Sequence, residues 1–131
     1  MEDIKTQVLQ NVCEKRTFSA QLCGENGPLV VLLHGFPDTA GTFLHQVPAL
    51  VASGYRVLVP VLPGYESSSC DGSGRYFVSD LVPWLTGWLD QLGETKVHLV
   101  GHDWGAVIAW LAAASHPERF HSLTTIAIPS L

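Results

Sequence analysis

The segment Gly101-His102-Asp103-Trp104-Gly105 sets one carboxylate between two glycines. An apolar run, Val97 to Val100, precedes it, and an alanine-rich stretch, Ala106 to Ser115, follows. A buried strand running through small residues straight into a helix is the layout of a nucleophile elbow. The glycines let strand and helix approach closely, and the central side chain is exposed at the carboxyl edge of the sheet. The free N–H groups of the helix N-terminus point at the same spot. At the centre stands Asp103, not Ser or Cys. A carboxylate is ionised at neutral pH and needs no base to make it a nucleophile. It can open a saturated carbon and form an ester, which activated water hydrolyses. A serine would form an ether at that carbon, which water does not reopen. An Asp elbow therefore suits epoxides or alkyl halides, and a Ser elbow suits esters and amides.

The second group is His34-Gly35-Phe36-Pro37, directly after the run Leu29 to Leu33. A loop there can give a backbone N–H to an oxyanion hole. The expected donors are the N–H groups of Phe36 and Trp104, around the charge that forms when water attacks the Asp103 ester. One such donor is typically worth about 2.7–4 kcal/mol of barrier. His34 is expected to brace this loop by hydrogen bonds. His102 points away from the site by strand alternation and is read as structural. Gly35, Pro37, Gly101 and Gly105 support the two turns. Trp104 is read as a wall of the substrate pocket in preference to packing beneath a cap, since aromatic walls are common in ligand sites. Asp38 is read as capping a helix that starts near Thr39. His98 and His102 have the i, i+4 spacing of a metal pair. They lie on a strand and its turn rather than on one helix face, so no metal is expected there.

These groups need a scaffold. Val8 to Val12 and Thr17 to Cys23 read as strands around a charged turn, Glu14-Lys15-Arg16. Leu29 to Leu33 and Arg56 to Leu62 are continuous apolar runs, as in strands buried on both faces. Phe43, Val47, Leu50 and Val51 recur at helical spacing, with Gly54 at the C-terminal position. Residues 65–76 read as loop. Leu81, Trp84, Leu85, Trp88, Leu89 and Leu92 form a helical stripe that faces a core. Leu123 to Ile128 reads as a last strand. Strand and helix alternate after residue 29, which predicts an α/β fold with a mostly parallel sheet flanked by helices.

Composition narrows the partners. The chain has 131 residues and a formal net charge of −5, and its seven Lys and Arg are scattered, which argues against nucleic acid. Charged residues are only 15%, below the usual ~25%, so much of the chain is interior material. Cys13, Cys23 and Cys70 are an odd count at irregular spacing, so neither a disulfide framework nor a zinc site is expected. The first fifteen residues have no secretory h-region, and no apolar run approaches the ~20 residues of a membrane span. A cytoplasmic protein without cofactor is the expectation.

LLHGFPD at 32–38 and GHDWGA at 101–106, with GYRVLVPVLPGY at 54–65 between them, resemble α/β-hydrolases of the epoxide-hydrolase type. The resemblance implies that residues 1–131 are the N-terminal part of an α/β-hydrolase domain, lacking the cap and the C-terminal part. It implies an Asp103 nucleophile, a covalent ester intermediate and a small epoxide or similar electrophile as substrate. Haloalkane dehalogenases share the Asp-Trp elbow but usually carry Asn where Phe36 stands, and fluoroacetate dehalogenases usually carry Arg where Trp104 stands. Both departures favour epoxides, with the dehalogenase reading kept as the alternative. In the family the acid and the histidine base follow late, and cap tyrosines protonate the epoxide oxygen. His116, Glu118 and His121 are not expected to be the base: a helix carries residue 116 about 20 Å from the elbow. Tyr65 is at most on the rim. These 131 residues are thus expected to give no turnover, with the last strand an open apolar edge available for self-association. A further alternative is a non-catalytic α/β chain that binds a partner.

Overall fold

Two apolar layers sandwich a single sheet, and the alternation of side chains along the central strands decides which residue joins which layer. The computed structural model describes residues 4–13, 16–35, 43, 45–63 and 78–126. Within these the elements are β1 (Thr6–Cys13), β2 (Arg16–Cys23), β3 (Leu29–Leu33), α1 (Gln46–Ala52), β4 (Arg56–Pro60), α2 (Val78–Gln91), β5 (Val97–His102), α3 (Trp104–Ser115), a 3-10 turn (Pro117–Arg119) and β6 (Phe120–Ile126). The six strands stand in the order β1-β2-β4-β3-β5-β6. β1 pairs antiparallel with β2, and β2 with β4. β3, β4, β5 and β6 are mutually parallel.

All five residues of β3 are buried, as a continuous apolar run in a parallel sheet requires. Leu29, Val31 and Leu33 join Leu85, Trp88 and Leu89 of α2 and Ile108, Ala109 and Ala112 of α3 on one face. Val30 and Leu32 join Phe43, Val57 and Val59 on the other, against Val47, Leu50 and Val51 of α1. α1 tolerates Pro48 because a first-turn residue has no intrahelical use for its N–H. It ends at Ser53, and Gly54 follows at φ +95°. Arg119 holds the turn between α2 and β5: it donates to Asp90 Oδ1 (2.9 Å), Glu94 O (2.9 Å) and Thr95 O (3.1 Å).

Several boundaries differ from the sequence reading: β1 runs from Thr6 to Cys13 rather than from Val8 to Val12, β2 begins at Arg16 rather than Thr17, and β5 continues past Val100 to His102. β6 begins at Phe120, not Leu123, because Phe120 pairs with Val97 and Ser122 with His98, His121 being the extra residue between them. α3 begins at Trp104, directly after the turn residue. β4 ends at Pro60. β6 is an edge strand with His121, Ser122, Thr124 and Ile126 exposed, so its edge is largely polar rather than apolar. The β1–β2 register sets Cys13 opposite Arg16 and Cys23 opposite Thr6, at opposite ends of the hairpin, and Cys23 is a buried free thiol. The loop at 65–76 and the cap assigned to Asp38 lie outside the described residues. No helix among the described residues is long and apolar enough to cross a membrane.

Candidate active site

From β3 the chain crosses to β4 on one side, and later returns to place β5 on the other side of β3. The order therefore reverses between β3 and β5. In open α/β sheets the crevice at the carboxyl ends of such a pair is where ligands bind. The residues emerging there are His34 and Gly35 from β3 and Asp103 from β5.

Asp103 has φ +57° and ψ −118°, the one positive φ among the described non-glycine residues. Its neighbours hold it. Its N–H donates to Ile126 O at 3.1 Å, and its carbonyl accepts from Ala106 N–H (2.9 Å) and Val107 N–H (3.3 Å), which starts α3. Its side chain makes no capping bond to that helix. The N–H of Trp104, first in α3, has no partner within the helix. The Trp104 ring is exposed.

The glycines explain how three backbone segments meet. A β-carbon on Gly101 would lie 2.6 Å from Gly105 C and 2.7 Å from Ala106 Cα. One on Gly105 would lie 2.6 Å from His34 O, at the end of β3. One on Gly35 would lie 2.8 Å from His102 O and 2.9 Å from Asp103 Oδ2. Only hydrogen fits at each point, so the loop after β3 lies directly against the Asp103 carboxylate.

His34 is fully buried, and its bonds define its tautomer. Its Nε2 accepts from Leu62 N–H at 3.0 Å, which puts the proton on Nδ1, and Nδ1–H then faces Gly35 O at 3.2 Å. His34 thus ties the loop after β3 to the chain leaving β4. Leu62 is the residue the sequence reading missed; a backbone N–H acting across 28 residues leaves no local signal. His102 shares a strand face with His98 and Val100, opposite Gly101. His116 ends α3, its Nδ1 3.6 Å from Glu118 Oε1. His121 lies beside His98, at the start of β5 and β6, about 16 Å of strand from Asp103. Neither reaches the elbow. Phe36 and Pro37 lie outside the described residues. No cluster of three or more potential metal ligands occurs among the described residues.

Residues 28–131 match the family described as alpha/beta hydrolase fold. The chain belongs to the α/β hydrolase fold family. This α/β hydrolase is similar to epoxide hydrolase B of Mycobacterium tuberculosis (strain ATCC 25618 / H37Rv), with 43% identity over 106 residues, 80% of this chain and 30% of that protein. Among solved structures it is similar to epoxide hydrolase A from Mycobacterium thermoresistibile, with a TM-score of 0.81 and 38% identity, covering 95% of this chain and 40% of the other. An epoxide hydrolase from an endophytic Streptomyces superposes with a TM-score of 0.88 at 31% identity, covering 96% of this chain and 38% of the other. The chain spans about a third of the length of the curated relatives it matches. In this member of the fold family the turn between β5 and α3 and the residues after β3 stand together at the switch point.

Proposed function

We propose that this chain carries the nucleophile and the oxyanion donors of an epoxide hydrolase. The observation that carries the reading is Asp103, held at φ +57° at the switch point with Gly35 against its carboxylate. In the first step an Asp103 oxygen attacks an epoxide carbon. The C–O bond of the ring breaks, an ester forms, and the departing oxygen takes a proton from an acid. In the second, water activated by a base attacks the ester carbonyl, the diol leaves and the carboxylate returns. The N–H groups of Trp104 and Phe36 would stabilise the intermediate oxyanion. A group aimed at developing charge in this way acts more strongly in the transition state than in the ground state. The reading assigns the base and its orienting acid to no residue of these 131, and takes the chain as cytoplasmic.

Similarity to proteins named epoxide hydrolase supports the substrate class. The test is intact-mass spectrometry of the chain after incubation with a reactive aryl epoxide. The expected result is one adduct, mapped to Asp103, with no diol released above the uncatalysed background and no adduct in Asp103→Asn. An adduct that survives in Asp103→Asn, or none in the unsubstituted chain, overturns the reading. Release of halide from a haloalkane, without epoxide alkylation, moves it to the dehalogenase type.

A further inference from the structure

A second cluster of reactive side chains lies at the other end of β5. The β5–β6 ladder is regular except at its start, where Val97 faces Phe120 but His98 faces Ser122. His121 is the extra residue, at a bulge-like irregularity of this parallel pair. Bulges re-aim side chains and occur beside functional sites more often than elsewhere. In a regular strand His121 and Ser122 would point to opposite faces. Here both are exposed, and both meet His98. Ser122 Oγ lies 2.7 Å from His98 Nδ1, and the ring centres of His98 and His121 are 5.2 Å apart with planes at 37°. Tyr55 packs edge-on against His98, centre to centre 5.9 Å, and limits the ring's freedom.

We propose that His98 and His121 form a two-histidine site for a divalent transition ion of the zinc, nickel or copper class, with water at the remaining positions. Three observations converge on this. The bulge is what brings the second ring to the first. Two imidazoles sharing one tetrahedral ion, at N–metal distances of about 2.0–2.1 Å, have ring centres roughly 5 Å apart, and these stand at 5.2 Å. In the tautomer that carries its proton on Nδ1, His98 donates to the Ser122 hydroxyl and keeps its lone pair on Nε2, the arrangement of a metal-bound imidazole whose other nitrogen is held by an outer partner. Imidazole favours zinc, copper and nickel over magnesium or calcium. With no third His, Cys, Asp or Glu beside the pair among the described residues, the ion stays exchangeable. It would clip the edge strand β6 to β5. The site is independent of the elbow and of the function proposed for it.

The test is a copper(II) titration of the full chain, followed by broadening of the histidine ring resonances, with nickel(II) binding measured by calorimetry. The expected result is that the rings of His98 and His121 broaden first, below one equivalent, and that nickel binds with a stoichiometry of one. His121→Asn, at an exposed position, abolishes both effects. Ser122→Ala weakens nickel binding about 10–100-fold with unchanged circular dichroism. His116→Asn changes neither. Earlier broadening of any other histidine in the unsubstituted chain overturns the proposal without recourse to a variant. So does nickel binding that survives in His121→Asn, or no binding at all.

Discussion

Holding Asp103 at φ +57° and ψ −118° costs about 1–3 kcal/mol, and the hydrogen bonds on either side of it supply the constraint. Strain and chemistry can be separated by two substitutions. Asp103→Asn keeps the strain and removes the nucleophile, so its urea midpoint stays near that of the unsubstituted chain while epoxide labelling disappears. Asp103→Gly also abolishes labelling, but relaxes the backbone. After the ~0.5–1 kcal/mol entropic cost of glycine, a net gain of about 1 kcal/mol is expected in urea unfolding. A glycine variant less stable than the parent would show that the turn is not strained. His34 offers a second residue-scale prediction. His34→Ala leaves the buried Leu62 N–H without its acceptor, at about 1–3 kcal/mol, and adds a cavity. The midpoint in urea should fall accordingly, and Asp103 labelling should slow because the loop after β3 loses its tie.

At the scale of elements, α3 lies close to the sheet because its buried face is Gly105, Ala106, Ile108, Ala109 and Ala112. Ala109→Leu overfills this seam and is expected to destabilise by about 1–3 kcal/mol. Gly105→Ala drives a methyl into the carbonyls ending β3, so here backbone rather than side chains must move. Its loss should be larger, and labelling of Asp103 should fall with it. Comparing the two by chemical denaturation tests whether the elbow depends on that contact in particular. The same elements show what a sequence reveals. β3, β5 and α2 were legible because apolar periodicity and the turn chemistry beside it agree. The start of β6 was not, since His121-Ser122 is polar and the bulge breaks the alternation that a strand reading relies on. At the site, Asp103 between Gly101 and Gly105 was readable as a local motif. The contact of Gly35 with Asp103 was not, because it exists only once β5 lies beside β3.

For the molecule as a whole, the exposed large apolar side chains on the sheet edges among the described residues are Val8 and Val12 on β1 and, on the otherwise polar exposed positions of β6, Ile126. An unpaired edge invites pairing with another copy, and a lysine on it opposes that. Self-association through β6 is expected to rise with concentration in sedimentation velocity, and Ile126→Lys should suppress it. Val8→Lys should leave it in place if β6 is the pairing edge. The reverse ranking would assign association to β1. Val8 lies on the opposite edge strand from Asp103, so labelling is expected to persist in Val8→Lys; Ile126 lends its carbonyl to the Asp103 N–H, so Ile126→Lys is read for association alone.

The reversal of strand order at β3 has a consequence for the order in which the chain acquires reactivity. During synthesis β3 emerges before β4, and β4 before β5. Until β5 occupies the vacant flank, Asp103 is an ordinary solvated carboxylate on an unconstrained chain, and Gly35 has nothing to touch. On the proposed function, nucleophilicity at this position would be a property of tertiary assembly rather than of the peptide that encodes it. An epoxide that marks Asp103 would thus report, chain by chain, the moment at which the two halves of the sheet join.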